Sequence, residues 1–252
     1  MRLTVLGSGT STGVPIIGCN CSVCVSSDPK NTRTRASLWV EQEGHHFLID
    51  TSTDLRQQAL ANKIPRVDAV LFTHAHADHV LGLDEIRVYN FHQKAPIPCY
   101  GGEETLQKVR QMFSYIFSAD PVESFKPQLS LHEVSGPFKL HGLEILPVPV
   151  RHGSLSVLGY RFDDKAYVTD CNFISEESKK MLRHLDLLIL SAIRYQPHPT
   201  HFSLEEALEV IRGLAPKRAI LTHLSHAFDY AKVNTELPKG VELAFDGMKI
   251  ET

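Results

Sequence analysis

The chain has 252 residues, a formal net charge of −3, 42% hydrophobic residues and 22% charged residues. These proportions are typical of a globular protein with a full core, and the slight negative charge disfavours a general nucleic-acid binder, which is usually basic. No apolar stretch approaches the roughly 18 residues that span a bilayer, so we expect no membrane partner.

Short apolar and β-branched runs predict strands at Leu3–Leu6, Ser37–Val40, His46–Ile49, Ala69–Phe72, Ile97–Tyr100, Leu143–Val150, Leu158–Phe162, Ala166–Thr169, Leu187–Leu190, Arg218–Leu221 and Val241–Ala244. Helical periodicity predicts helices at Asp54–Ala61, Glu103–Phe117, Ser175–Leu185 and Ser203–Leu214. The last helix begins with a capping box, in which Glu206 can reach back to the amide of Ser203. Strands and helices alternate in both halves without a linker, which predicts one α/β domain over residues 1–252.

The cysteines are unevenly placed. Cys19, Cys21 and Cys24 cluster after Gly18, whereas Cys99 and Cys171 stand alone. An odd count with a tight cluster fits a reducing compartment and a metal ion better than a disulfide framework. We therefore expect a cytoplasmic protein.

The hexapeptide after the fourth predicted strand is rich in metal-binding side chains. Residues 74–79 read His-Ala-His-Ala-Asp-His. Imidazole suits zinc, iron and manganese, and a carboxylate shifts the preference towards manganese. Neighbouring side chains of a strand cannot converge on one point, so the chain must leave its strand at Thr73 and bend. The pattern predicts a metal site.

Three later strands lead to further residues that can bind a metal, namely His152, Asp170 and His223. Ligand sites of open α/β sheets lie at the C-terminal ends of the strands. Taken singly, a histidine or aspartate at a strand end is more often a satisfied polar group. Three such residues in a chain that also contains the hexapeptide favour metal ligands.

These residues resemble those of the metallo-β-lactamase fold superfamily, and the resemblance covers essentially the whole chain. It implies an α/β fold, a four-layer αββα sandwich with the site along one edge of its two sheets. It also implies that one metal ion is held by His74, His76 and His152, and a second by Asp78, His79 and His223. Asp170 would bridge the two ions, and Asp50 would orient the ligand loop.

The Gly82-Leu83 pair after His79 resembles the phosphodiesterase branch of that superfamily, which contains tRNase Z and PhnP. Two features resemble PhnP in particular: the cysteine loop, matched by a histidine at position 226, and the C-terminal segments 199–201 and 222–228. Three thiolates and an imidazole leave no position for water, so the resemblance implies a structural zinc ion held by Cys19, Cys21, Cys24 and His226. Three free buried thiols are the alternative.

PhnP-type enzymes cleave the cyclic phosphate of a phosphoribosyl compound. The resemblance therefore implies hydrolysis of a small, cyclic ribose phosphodiester by a hydroxide held between two divalent ions, zinc or manganese. We expect Asp78 to orient that hydroxide and His201 to protonate the leaving oxygen. A histidine that only caps the entrance of the Ser203 helix is the alternative for His201.

Arg194 is the first candidate for a contact with the substrate phosphate, because arginine forks suit phosphates. Lys30, Arg33 and Arg35 are further candidates, with merely solvated basic side chains as the alternative.

Two other functions remain open. A nuclease of tRNase Z type would be expected to carry a long arm rich in lysine and glycine, and none is visible. A non-catalytic carrier resembling PqqB would not need an intact histidine motif. The expected partner is a small-molecule phosphodiester, nucleic acid is disfavoured, and a homodimer stays open.

Overall fold

The computed structural model describes residues 1–118 and 125–251. One sheet contains β1 (Arg2–Gly7), β2 (Ser37–Gln42), β3 (His45–Ile49), β4 (Ala69–Leu71), β5 (Ile97–Gly101), β6 (Leu129–Glu133) and β14 (Met248–Glu251). Their order across the sheet is β14-β1-β2-β3-β4-β5-β6. Strands β3 to β6 pair in parallel, whereas β14, β1, β2 and β3 pair antiparallel.

The other sheet contains β7 (Phe138–Leu140), β8 (Leu143–His152), β9 (Leu155–Phe162), β10 (Lys165–Val168), β11 (Leu187–Ser191), β12 (Arg218–Thr222) and β13 (Val241–Leu243). Their order is β13-β12-β11-β10-β9-β8-β7. Strands β10 to β13 are parallel, so their C-terminal ends meet at one edge.

The helices are α1 (Leu55–Asn62), α2 (Ala77–Val80), α3 (Arg87–Gln93), α4 (Glu103–Met112), α5 (Ser114–Phe117), α6 (Glu176–Met181), α7 (Leu204–Leu214) and α8 (Tyr230–Glu236). Within the described ranges, no helix has both the length and the apolar character that crossing a membrane requires.

Three apolar cores separate the layers. The central core joins the two sheets through residues such as Phe47, Tyr160 and Ile189. A second core packs α4 and the α1 region on the first sheet, and a third packs α6 to α8 on the other. Three cores between four layers confirm the predicted αββα sandwich, because each sheet buries both of its faces.

The structure departs from the predicted elements at sheet edges and helix ends, and it contains three helices that were not predicted, α2, α3 and α8. Strands β6, β7 and β14 were not predicted, and each is short and lies at or beside a sheet edge, where alternation is weak. The single helix predicted over Glu103–Phe117 is wrong, because the backbone at Phe113 leaves helical geometry (φ −110°, ψ 40°) and separates α4 from α5. The helix predicted over Ser175–Leu185 is shorter, whereas the capping box of α7 is confirmed.

Candidate metal centre

The predicted ligands converge at one end of the two sheets. Asp50 follows β3, Asp170 comes two residues after β10 and His223 follows β12, and all three have left-handed backbones, with φ of 63°, 50° and 57°. His152 was predicted to lie just past the end of its strand, but it is the last residue of β8. It pairs with Leu155, the first residue of β9, across the hairpin. Parallel strands bring these distant residues together, because their C-terminal ends share one sheet edge.

The hexapeptide bends as predicted. Strand β4 ends at Leu71, and the amide of Phe72 still donates to the carbonyl of Tyr100 at 2.7 Å. The chain then turns at His76 and enters the short helix α2, which contains Asp78 and His79. Extended backbone followed by one helical turn lets side chains close in sequence face the same point.

One group of donors contains His74, His76 and His152, whose ligand atoms all lie within 4.8 Å of one another. His74 Nε2 is 3.0 Å from His76 Nδ1. Ring nitrogens about 2.0–2.1 Å from one zinc ion would be roughly 3.3 Å apart in a tetrahedral arrangement. The spacing therefore suits two ligands of one ion.

A second group contains Asp78, His79, Asp170 and His223, all buried and again within 4.8 Å of one another. Asp170 Oδ1 lies 3.2 Å from His223 Nε2, and its Oδ2 lies 3.5 Å from His79 Nε2. The same Oδ2 atom is 3.8 Å from His74 Nε2, in the first group. The Asp170 carboxylate thus lies between the two donor groups.

Asp50 lies behind the second group and orients it. Its carboxylate accepts from the amide and the hydroxyl of Thr73, both at 2.8 Å, and contacts His79 Nδ1 at 2.7 Å. The side chains of Asp50 and His79 are both fully buried. A proton on Nδ1 of His79 leaves Nε2 free to bind a metal ion, which is the arrangement expected of a ligand histidine.

The electrostatics favour positive charge in this group. Burial alone would lower the pKa of His79, but the carboxylates of Asp170 and Asp50 raise it well above its usual range. Burial alone would raise the pKa of Asp170, but the charges of His223 and His79 hold it well below its usual range. Burial lowers the pKa of His74 and of His76, which keeps both imidazoles neutral and able to bind a metal.

Buried polar atoms without hydrogen-bond partners indicate whether a metal ion fits the second donor group. Asp78 Oδ2, His79 Nε2 and His223 Nε2 are buried and have no hydrogen-bond partner among the described residues. Buried polar atoms without partners are costly, and all three belong to the second group. A divalent cation would satisfy them together, so the donor set fits a metal ion.

His201 and His152 are held by the loop before α7. His152 Nδ1 contacts the carbonyl of Thr200 at 2.7 Å, which directs Nε2 towards the first group. The ring of His201 lies 4.5 Å from that of His152 and 4.9 Å from that of His223. Burial lowers the pKa of His201 to about 3, and its Nδ1 has no partner among the described residues.

The basic candidates are engaged elsewhere in different ways. Arg194 donates to the carbonyls of Gln196 and Pro197, so a phosphate contact by Arg194 stays a prediction. The Lys30 ammonium lies over two aromatic rings, and Arg35 pairs with the Asp54 carboxylate. Arg33 is 1% exposed, which excludes the expected role as a surface contact for phosphate.

The cysteine cluster forms a separate donor group with His226. The Sγ atoms of Cys19, Cys21 and Cys24 lie 3.4, 3.4 and 3.5 Å from His226 Nδ1. For tetrahedral zinc with ordinary bond lengths, sulfur and nitrogen ligands would be about 3.6 Å apart. The amide of Cys24 lowers the pKa of Cys21 to about 6, which favours a thiolate. The four side chains therefore fit one zinc ion.

Three supporting residues were not predicted. Thr73 holds Asp50, Thr200 orients His152, and the hydroxyl of Thr169 donates to Asp170 Oδ1 at 2.7 Å. Thr73 and Thr169 directly precede predicted ligands, which is the only signal they give in the sequence. Thr200 gives none, because it acts through its carbonyl on a residue 48 positions away.

Comparison with known proteins agrees with this architecture. The family described as "Beta-lactamase superfamily domain" matches residues 45–224. A crystal structure described as a new diphosphatase from the PhnP family has 44% identity and a TM-score of 0.94, covering 100% of this chain and 97% of the other. Zinc-bound PqqB from Methylobacterium extorquens, at 21% identity and a TM-score of 0.82 with both chains covered completely, shares the fold.

Among curated proteins, an octanoyltransferase of Porphyromonas gingivalis is 39% identical over 254 residues, which is 99% of this chain and 51% of that protein. The chain thus spans about half the length of this relative. The family match covers most of the chain and includes the hexapeptide, Asp170 and His223. The chain therefore belongs to the β-lactamase superfamily, and it resembles the PhnP type.

Proposed function

We propose that the protein is a metal-dependent hydrolase that cleaves a small phosphodiester, a cyclic ribose phosphate being the first candidate. The position of Asp170 carries the proposal. Its two oxygens lie within 3.8 Å of ring nitrogens from both donor groups, as a carboxylate shared between two ions would. The similar structure of the PhnP family, whose described activity also concerns phosphate groups, supports the same class of substrate.

The residues divide the work as follows. One ion would be held by His74, His76 and His152, and the other by Asp78, His79 and His223, with Asp170 shared by both. Zinc and manganese are the candidate ions, because imidazole suits zinc and carboxylate suits manganese. Two such ions would supply an activated water and neutralise charge on the phosphate oxygens. Asp78 is the proposed group that orients this water, because its buried carboxylate belongs to the second donor group.

His201 is the proposed proton donor for the leaving oxygen. Its low pKa in the free site means that the ring is neutral at neutral pH. An anionic phosphate bound beside the ring would favour the imidazolium, because a neighbouring negative charge raises the pKa of a histidine. The Asp170 carboxylate favours the imidazolium, but burial and the neighbouring histidines outweigh it, so the proposal needs the further negative charge of a bound substrate.

A diphosphate linkage is the second candidate substrate. The observation that favours it is the described activity of the PhnP-family structure, which shares 44% of its sequence with this chain. Both linkages present a phosphorus with one bridging oxygen as the leaving atom. They differ in that the leaving group of a diphosphate is a phosphate, which departs with less need of a proton from His201.

The remaining alternatives have less support. A nuclease would need a cationic surface for a polyanion, and the net charge is −3. A non-catalytic carrier resembling PqqB would not need a metal-activated water, which is what a carboxylate between two donor groups suits. Acyl transfer is not proposed, because the match covers 51% of the octanoyltransferase and its name need not describe the matched half.

The test is a substrate panel with metal-free protein reloaded with zinc or manganese. We expect hydrolysis of bis(4-nitrophenyl) phosphate and of a ribose cyclic phosphate only after reloading, with little activity on 4-nitrophenyl phosphate or on RNA. A diphosphate sugar or nucleotide in the same panel separates the two candidates. Strong phosphomonoesterase activity, or no activity with any loaded metal, would refute the proposal.

A further inference from the structure

Among the described residues, Arg33 is the largest charged side chain that the fold buries completely, with 1% of its surface exposed. Its guanidinium donates to the carbonyls of Ser225, at 2.8 Å, and Phe228, at 2.7 Å. A third bond, of 3.1 Å, joins it to the side-chain oxygen of Asn31. Burial lowers the pKa of Arg33 to about 10, so the group stays charged at neutral pH.

The segment that Arg33 holds joins the two candidate metal sites. His223, in the second donor group, and His226, in the cysteine group, are separated by two residues. The two carbonyls that accept from Arg33 bracket His226, at one residue before it and two residues after it. Any displacement of one histidine must therefore be absorbed within a very short stretch of chain.

The backbone of Arg33 holds the cysteine loop as well. Its amide donates to the carbonyl of Val14 at 2.7 Å, and its carbonyl accepts from the amide of Val14 at 2.8 Å. Val14 lies five residues before Cys19. Two residues after Val14, the amide of Ile16 donates to Cys24 Sγ at 3.4 Å. One residue thus fixes both the cysteine loop and the histidine segment that complete the cluster.

A buried charge that bonds mainly to carbonyls is an expensive way to stabilise a loop, since desolvating a guanidinium is costly and part of its bonding capacity is unused. The Nε atom of Arg33 is buried without a partner among the described residues. The arrangement is better suited to fixing geometry, because a planar fork sets the relative position of two carbonyls.

We propose that Arg33 is a positioning residue that couples the two metal sites, so that zinc in the cysteine cluster strengthens metal binding at His223. This inference rests on the metal assignments of the proposed function. The coupling passes from the cysteine cluster through His226 to His223, along the segment whose carbonyls accept from Arg33. Arg33 fixes the position of that segment relative to the cysteine loop.

The matched control is Arg161, a half-buried arginine that also donates to backbone carbonyls, those of Asp163, Met181 and Arg183, and that lies outside both donor groups. Zinc affinity of the cluster is measured by competition with a chromogenic chelator, and active-site affinity by electron paramagnetic resonance of added Mn²⁺. Thermal melting is recorded for every variant. Neither metal readout depends on catalytic activity.

Replacing a residue that orients a metal ligand typically costs 10–100-fold in affinity, so Arg33→Met should lower zinc affinity by that factor. The same variant should lower Mn²⁺ affinity at least threefold, whereas Arg161→Met should change neither. Cys21→Ser should lower Mn²⁺ affinity equally, and Arg33→Met added to Cys21→Ser should lower it no further. Arg33→Lys keeps the charge but lacks the planar fork, so its zinc and Mn²⁺ affinities should lie between those of the wild type and of Arg33→Met. It replaces Arg33→Met in the test if that variant does not fold.

If Arg33→Met binds zinc and Mn²⁺ as tightly as Arg161→Met does, the positioning role of Arg33 is refuted. It is also refuted if Arg33→Met loses zinc but binds Mn²⁺ as the wild type does. Independent, additive losses in the double variant would overturn the coupling. A wild-type protein that binds neither metal would refute both the proposed function and the positioning role of Arg33. If the wild type binds both metals and Arg33→Met binds them equally well, only the positioning role is refuted.

Discussion

The two donor clusters are built in opposite ways from the same kinds of side chain. The histidine and aspartate cluster sits at strand ends between the two sheets, and Asp50, His79, Asp170 and His223 are at most 2% exposed. The cysteine cluster lies on a surface loop, and its cysteines are only partly buried. The first depends on the sheets for its geometry, whereas the second supplies geometry to a loop.

The difference also separates their chemistry. In the cysteine cluster all four donors meet around one point, which leaves no position for a reacting molecule. In the other cluster a carboxylate lies between two sets of histidines, and His76 is exposed, so a substrate can approach. Burial with one accessible side is typical of a site that reacts, and a closed tetrahedron is typical of a site that holds the fold.

The largest expected effect follows from the shared carboxylate. Asp170→Ala should abolish hydrolysis of aryl phosphodiesters and lower the occupancy of both exchangeable metal ions, because one side chain serves both. Elemental analysis and activity are measured on the same preparation. The matched control is Asp163→Ala, which also changes an aspartate with a left-handed backbone (φ 57°) but lies in an exposed turn. Loss of a single ion would make Asp170 a terminal ligand and break the symmetry between the donor groups.

His201→Ala tests whether the histidine cluster does more than bind metal. General acids contribute roughly 10²–10⁴-fold, and a sugar alkoxide needs a proton far more than nitrophenolate does. We expect a loss in that range on a ribose cyclic phosphate and a much smaller loss on bis(4-nitrophenyl) phosphate, with metal content unchanged. Equal losses on both substrates, together with a lower melting temperature, would make His201 a structural residue.

Cys21→Ser should affect stability more than chemistry, which is the central contrast between the clusters. Structural zinc contributes folding free energy, so the variant should lose its tightly held zinc and melt several degrees lower. Zinc that survives mild chelation, measured before and after the change, is the readout. The loop control is Ser22→Ala, an exposed neighbour. If Cys21→Ser retains all of its zinc and its melting temperature is unchanged, the assignment of a four-ligand zinc site is wrong.

The smallest effect concerns the support behind the histidine cluster. Thr73→Val removes a hydroxyl that donates to Asp50 and also lies 3.0 Å from His74 Nδ1, but it keeps the amide donor to Asp50. A loss of about 1 kcal/mol is expected, which is less than about tenfold in metal affinity. Thr51→Val is the control, because its buried hydroxyl donates to the carbonyl of Val80 instead. A larger loss for Thr51→Val would mean that packing rather than the Asp50 contact matters.

The fold and the ligand clusters could be predicted to the extent that their signals are local. Residues 74–79 are contiguous, and Asp170 and His223 directly follow apolar strands, so short-range pattern was enough to nominate them. Arg33 could not be interpreted in this way, because its partners Ser225 and Phe228 are almost 200 residues away. The edge strands β6, β7 and β14 were missed for a related reason: their pairing depends on a neighbouring strand more than on their own alternation.

The left-handed backbones at Asp50, Asp170 and His223 have a consequence for how this protein can evolve. Such conformations cost non-glycine residues roughly 1–2 kcal/mol each, and the cost is tolerated where the geometry serves a site. Selection for heat resistance alone, with no demand on activity, should therefore favour glycine or asparagine at these three positions. A lineage that kept the sandwich but lost its chemistry would be recognisable by those positions.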